Sequence, residues 1–200
     1  MISIIDYGLG NVRAFSNIFS SLNINHKIVN NISDLNNSTK IILPGVGSFD
    51  WAMSKLKTSG FKNILDDMVL IQKIPILGIC VGMQLMASNS EEGNLSGLGW
   101  INGEVKKISN NNENLILPHM GWNTVELQKN DLFKNIKDPK FYFLHSYCFV
   151  SNEKNSILGS TFYGRKFTSV IRKDNIYGIQ FHPEKSHENG IYILKNFANL

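Results

Sequence analysis

The sequence predicts an α/β fold: an open, mostly parallel sheet with helices on both faces, and antiparallel strands in its second half. Three observations carry this. From Ile2 to Ala87, short apolar runs alternate with amphipathic stretches, the pattern of βαβ units whose strands are covered on both sides. From Trp100 onward, strand-like runs follow one another in hairpin-like succession before a closing helix. The 200 residues suit one domain spanning 1–200, and neither an internal repeat nor a long linker divides them.

Taken in order, Ile2–Ile5 reads as a strand that ends in the turn Asp6-Tyr7-Gly8. Asn11 to Leu22 is a helix, with Val12, Phe15, Ile18, Phe19 and Leu22 at helical spacing. His26–Val29 is a second strand, and Lys40–Leu43 a third, stopped by Pro44-Gly45. Trp51, Met53, Leu56, Phe61, Ile64, Leu65 and Met68 mark one or two helices. Ile76–Ile79 is a continuous apolar strand, and a helix begins at Gly82–Ala87. In the second half, Trp100–Ile108, Ile116–Glu126, Phe141–Val150, Ser156–Phe162, Lys166–Arg172 and Ile176–Phe181 read as strands. Between the first two, the Asn-rich stretch 109–114 reads as a polar loop. Ile191, Leu194, Phe197 and Ala198 share one face of the last helix.

Composition narrows the function classes. With 42% hydrophobic and 18% charged residues, the chain can bury a core and is not disordered. Twenty basic and sixteen acidic residues leave +4, spread along the chain, which does not point to nucleic acid. The longest apolar run, Ile74–Met83, is broken by Pro75, Gly78 and Gly82, so no membrane span is expected. The opening MISIIDYGLG carries no basic leader, which makes a cytoplasmic location the expectation. Cys80 and Cys148 show no metal-binding spacing; neither a metal nor a cofactor is expected, and Cys148 is read as a strand cysteine without a role.

Three strand-end motifs carry chemistry. In Gly78-Ile79-Cys80-Val81-Gly82 a buried strand turns sharply into a helix, the nucleophile-elbow pattern G-x-S-x-G with Cys in place of Ser. Such a turn exposes the sulfur at a helix N-terminus, where thiolate is favoured. A buried structural cysteine is the plainer reading of Cys80 alone. Phe181-His182-Pro183-Glu184 follows an apolar strand; His182 can take the thiol proton and Glu184 can hold the imidazole tautomer. Leu43-Pro44-Gly45-Val46-Gly47 also follows a strand, and its glycines free N–H groups for an anionic oxygen. Each has a bland alternative, but the three together point to nucleophilic catalysis.

These residues resemble the class I (triad-type) glutamine amidotransferases, a flavodoxin-like fold, and among them the glutaminase subunits of imidazole glycerol phosphate synthase. The resemblance runs over essentially the whole chain: Ile5–Asn11, Leu43–Phe49, Gly78–Gln84, Ser90-Glu-Glu-Gly93, Gly97-Leu-Gly99, Pro118-His-Met-Gly-Trp-Asn123, His145-Ser-Tyr147 and Gln180-Phe-His-Pro-Glu-Lys-Ser186. It implies Cys80 as nucleophile, His182 as acid/base and Glu184 as its orienter. It implies oxyanion donors at Val81 and the Gly45-Val46 peptide, and a glutamine site lined by Gly47, Gln84, Ser146 and Tyr147. Asn11, Met120, Trp122 and Lys185 match the regions that face a partner, which the resemblance implies is a (β/α)8-barrel synthase/cyclase subunit. The implied activity is hydrolysis of L-glutamine to glutamate, with ammonia delivered across an interface to make imidazole glycerol phosphate and AICAR in histidine biosynthesis. Paralogous subunits serving enzymes that aminate surface-glycan sugars share these motifs, so that reading stays open at this point. A stand-alone cysteine hydrolase and a non-catalytic module are two further alternatives.

Overall fold

The computed structural model of the protein describes residues 1–109 and 115–200; most of the Asn-rich loop assigned to 109–114 lies outside the described residues. The chain begins with β1 (Ile2–Ile5), α1 (Val12–Ser21), β2 (His26–Val29), β3 (Lys40–Gly45), α2 (Phe49–Thr58) and α3 (Phe61–Asp66). It continues through β4 (Ile76–Cys80), α4 (Val81–Gln84), β5 (Asn89–Ser90), β6 (Gly103–Lys107), β7 (His119–Thr124) and β8 (Glu126–Leu127). Then come β9 (Lys140–His145), β10 (Tyr147–Ser151), β11 (Ile157–Tyr163), β12 (Arg165–Lys173), β13 (Ile176–Ile179) and α5 (His187–Asn199).

The main sheet has the order β2-β1-β3-β4-β13-β12-β10-β6-β5. The first five of these strands are mutually parallel, and from β12 outward the main pairings turn antiparallel until β5 joins β6 in parallel. Every residue of β1, β4 and β13 is buried. Strands buried on both faces need helices on both, which is why their sequences are continuous rather than alternating apolar runs. Helix α1 packs against α5, and α2 packs with α3 and α4. The three strand-end motifs therefore emerge from the carboxyl ends of adjacent central strands β3, β4 and β13, where loops are free to carry chemistry.

Several local expectations change, among them the run Ile116–Glu126, which divides into β7, paired with β9, and β8, paired with β11. Pro44 and Gly45 do not stop the third strand: β3 runs through them, with Pro44 opposite Ile79 and Gly45 opposite Cys80. Pairing with β1 ends at Ile42, so Pro44, which has no N–H to give, takes nothing from the ladder. The helix expected over Gly82–Ala87 closes after one turn at Gln84. Its next carbonyls are taken by a distant segment instead, Leu85 by the Leu98 N–H, Met86 by Ile101 and Ala87 by Gly99. The run Phe141–Val150 is two strands, not one, parted at Ser146: β9 pairs with β7 in a separate two-stranded sheet while β10 joins the main sheet. The run Trp100–Ile108 becomes β6, which pairs with β10 rather than with the strand that follows it.

Candidate active site

The turn at Cys80 is built by backbone contact. Cys80 ends β4 with φ 54° and ψ −113°, a combination that L-residues avoid and that costs about 1–3 kcal/mol. The surrounding glycines make it possible. A Cβ on Gly82 would lie 2.0 Å from the Leu43 carbonyl oxygen, and one on Gly78 would lie 2.6 Å from the Gly82 oxygen. Only chains lacking Cβ atoms at both positions can bring strands β3 and β4 and the first turn of α4 this close.

His182 follows β13 and faces this turn. Its Nδ1–H donates to Glu184 Oε1 at 2.9 Å, with both side chains nearly fully buried, which fixes the tautomer and leaves Nε2 for the cysteine. Burial by itself lowers the basicity of this imidazole, but the Cys80 sulfur and the Glu184 carboxylate outweigh it and raise the pKa to about 10. Glu184 Oε2 is buried with no hydrogen-bond partner among the described residues, so the carboxylate charge is directed at one acceptor contact. The three residues read from sequence as nucleophile, base and orienter thus lie together.

A cavity of about 410 Å³ opens over Cys80. Val46, Gly47, Val81, Gln84, Ser146, Tyr147, His182 and Glu184 line it, as do Asn11 and Lys185. Gly45 is not in its wall but pairs directly with Cys80 in the β3–β4 register. Met120 and Trp122 lie outside the cavity on the exposed face of β7, 66% and 48% exposed. Met120 sits opposite Leu144, which is itself part of the cavity wall. Trp122 sits opposite Tyr142, and the Lys185 ammonium lies 5.5 Å from the Tyr142 ring. An apolar, solvent-facing patch therefore borders the cavity mouth.

Four wall residues had no role assigned from sequence: Glu92, Pro118, Leu144 and His145. Each falls within or beside a motif already singled out, but residue type alone does not say which side chains turn inward. Glu92 Oε2 accepts the Phe49 N–H at 2.8 Å, and burial raises its pKa despite that hydrogen bond, with Asp50 adding to the rise. His145 donates from Nδ1 to the Tyr147 carbonyl at 2.8 Å, and its Nε2 faces His119 Nδ1 at 3.1 Å.

The family model described as "Glutamine amidotransferase class-I" matches residues 3–200. The chain is 52% identical over the full length of both chains to the imidazole glycerol phosphate synthase subunit HisH of Leptospira interrogans, and 47% identical, again over both full lengths, to that of Bdellovibrio bacteriovorus. Among solved structures, a glutamine amidotransferase from Thermotoga maritima superposes with a TM-score of 0.62 at 17% identity, covering 99% of this chain and 82% of that one. That likeness bears on the fold.

Proposed function

The chain belongs to the class I glutamine amidotransferase family, and from that premise we propose that it is the glutaminase subunit of an imidazole glycerol phosphate synthase, acting in histidine biosynthesis. The observation that carries the reading is the end-to-end likeness to such subunits in a chain whose three strand-end motifs converge on one cavity. L-Glutamine enters with its side-chain amide over Cys80. The thiolate attacks the amide carbon, and the N–H groups of Val81 and of the Gly45-Val46 peptide hold the developing oxyanion. His182 passes its proton to the departing nitrogen, and ammonia leaves. The same imidazole then takes a proton from water, which cleaves the γ-glutamyl thioester to glutamate and returns the thiol. Gly47, Gln84, Ser146 and Tyr147 line the glutamine site, and Glu92, an acidic side chain on the wall apart from the triad, suits the substrate α-ammonium. No cofactor enters this scheme.

Ammonia is a nucleophile only while unprotonated, so it must pass to the acceptor without meeting bulk water. The patch of Met120 and Trp122 beside the cavity mouth, with Asn11 and Lys185 on the rim, suits a covering synthase/cyclase subunit, read as a (β/α)8 barrel. The whole chain serves as one amidotransferase domain, and among the described residues no helix is long and apolar enough to cross a membrane. The test is genetic and enzymatic. Expressed with its neighbouring synthase gene in a histidine-requiring strain lacking both subunits, the chain restores growth without histidine. Glutaminase turnover is low for the chain alone and rises about a hundred- to a thousandfold with the synthase and acceptor bound, the worth of one oxyanion donor. A well-expressed, glutaminase-competent pair that fails to restore growth assigns the chain to another aminating synthase.

A further inference from the structure

Gln180, two residues before the candidate base, has no solvent exposure and no part in the scheme above. Its side-chain Oε1 receives a hydrogen bond from Gln84 Nε2 at 3.0 Å, and its Nε2 points at Cys80 Sγ at 3.7 Å. Which end of each amide is nitrogen follows from the network itself. Gln84 Nε2 also donates to the Tyr147 carbonyl at 2.9 Å, and a carbonyl accepts only from a donor, so the Gln84 nitrogen must lie there. Both Gln84 amide hydrogens are then used, one on Tyr147 and one on Gln180. The Gln180 atom that receives the second must be oxygen, which turns the Gln180 N–H towards the sulfur. One backbone carbonyl thus orders a chain of donors from Tyr147 through Gln84 and Gln180 to the nucleophile.

We propose that Gln180 is a positioning residue that ties glutamine recognition to nucleophile activation. Its N–H is aimed at the Cys80 sulfur and steadies that atom for attack. Its carbonyl holds the Gln84 amide in one orientation, which leaves Gln84 Oε1, an acceptor, for an N–H group of the substrate. Substrate that draws on Gln84 therefore bears on the same chain that ends at the attacking atom. The inference rests on the glutaminase reading for its substrate but not for its effect on Cys80.

Two substitutions separate the two contacts. Gln180→Leu removes both, and Gln180→Glu keeps an acceptor for Gln84 while exchanging the donor to sulfur for a carboxylate that repels the thiolate. Alkylation of the full chain by iodoacetamide, followed by peptide mass spectrometry that resolves Cys80 from Cys148, reads the first. At pH 7 Gln180→Leu slows Cys80 alkylation by about tenfold, and Gln180→Glu by at least as much. Steady-state glutaminase kinetics in the synthase complex read the second: Gln180→Leu raises KM for glutamine by about tenfold, and Gln180→Glu leaves it within about twofold while lowering kcat. Gln180→Met replaces the leucine variant if that one does not fold. Folded variants whose Cys80 alkylates at the wild-type rate overturn the proposal, as does an equal rise of KM in both. If the wild-type complex shows no glutaminase activity while alkylation still depends on Gln180, the functional reading fails and the Gln180–Cys80 contact stands.

Discussion

At Cys80 the strained backbone sets the sulfur of the proposed nucleophile at the end of its strand, beside His182. Cys80→Ala removes the attacking atom, so glutamine-dependent turnover falls by on the order of 10⁴ to 10⁶. The complex still works with ammonium at elevated pH, because the acceptor chemistry lies in the other chain; assaying both nitrogen sources checks this, and loss of the ammonium reaction would contradict the division of labour. Glu184→Gln gives a smaller loss, since it disturbs the orientation of His182 at the 2.9 Å contact without removing a reactant. Glu92→Gln acts differently again. With the charge proposed to meet the substrate α-ammonium gone, KM for glutamine rises by about tenfold and kcat changes little, which steady-state kinetics distinguishes.

The element that matters most is the β4–α4 elbow crossing over β3. Its geometry is set by missing side chains: a Cβ at Gly82 overlaps the Leu43 carbonyl, which is part of the sheet and cannot retreat. Gly82→Ala therefore destabilises the fold by about 3 kcal/mol or more through overlap. Gly8, at φ +90° with nothing within 4 Å of its would-be Cβ, is the control: Gly8→Ala carries only the cost of a left-handed backbone, about 1 kcal/mol. Denaturant midpoints of the two variants measure the difference. The β9–β10 break is the second decisive element. By parting at Ser146 it sends β9 to the small sheet and β10 to the main one, and so sets Leu144, His145, Ser146 and Tyr147 across the cavity wall.

Across the whole molecule, two buried histidines join the small sheet to the site. His145 gives its Nδ1–H to Tyr147 and accepts from His119 Nδ1, while Asn123 Nδ2 lies 3.2 Å from His119 Nε2. Phe143 and Tyr163 stack on His119, and His145 feels the charge of His182. Burial lowers His119 to a pKa of about 4. His145 falls to about 3, chiefly through burial, helped by the nearby His119 and His182 and opposed by its bond to Tyr147. Both stay neutral in the folded chain and protonate in the unfolded one below the usual 6.5. Their stabilising effect is complete above pH 6.5 and is lost as pH falls towards 4 and then 3, at about 1.4 kcal/mol per pH unit for each. Urea unfolding at pH 7.0, 6.0 and 5.0 should show stability falling with pH; a flat profile would mean that the histidines open to solvent without unfolding.

The sequence by itself determined the class of fold and the family. Continuous apolar strands such as Ile76–Ile79 demand burial on two faces wherever they end up, and G-x-C-x-G is a constraint of contact distances already legible in residue types. His182 and Glu184 were legible for the same reason, being two residues apart on one loop. What only the tertiary structure decided were relations between distant segments. The end of α4 at Gln84 depends on the Leu98, Gly99 and Ile101 amides, and the passage of β3 through Pro44 depends on where β1 stops. The inward turn of Glu92 and Gln180 depends on partners 43 and 96 residues away. Local pattern reports periodicity and steric limits, but hydrogen bonds that close over long loops are chosen by which surfaces meet, and that is settled only when the chain packs.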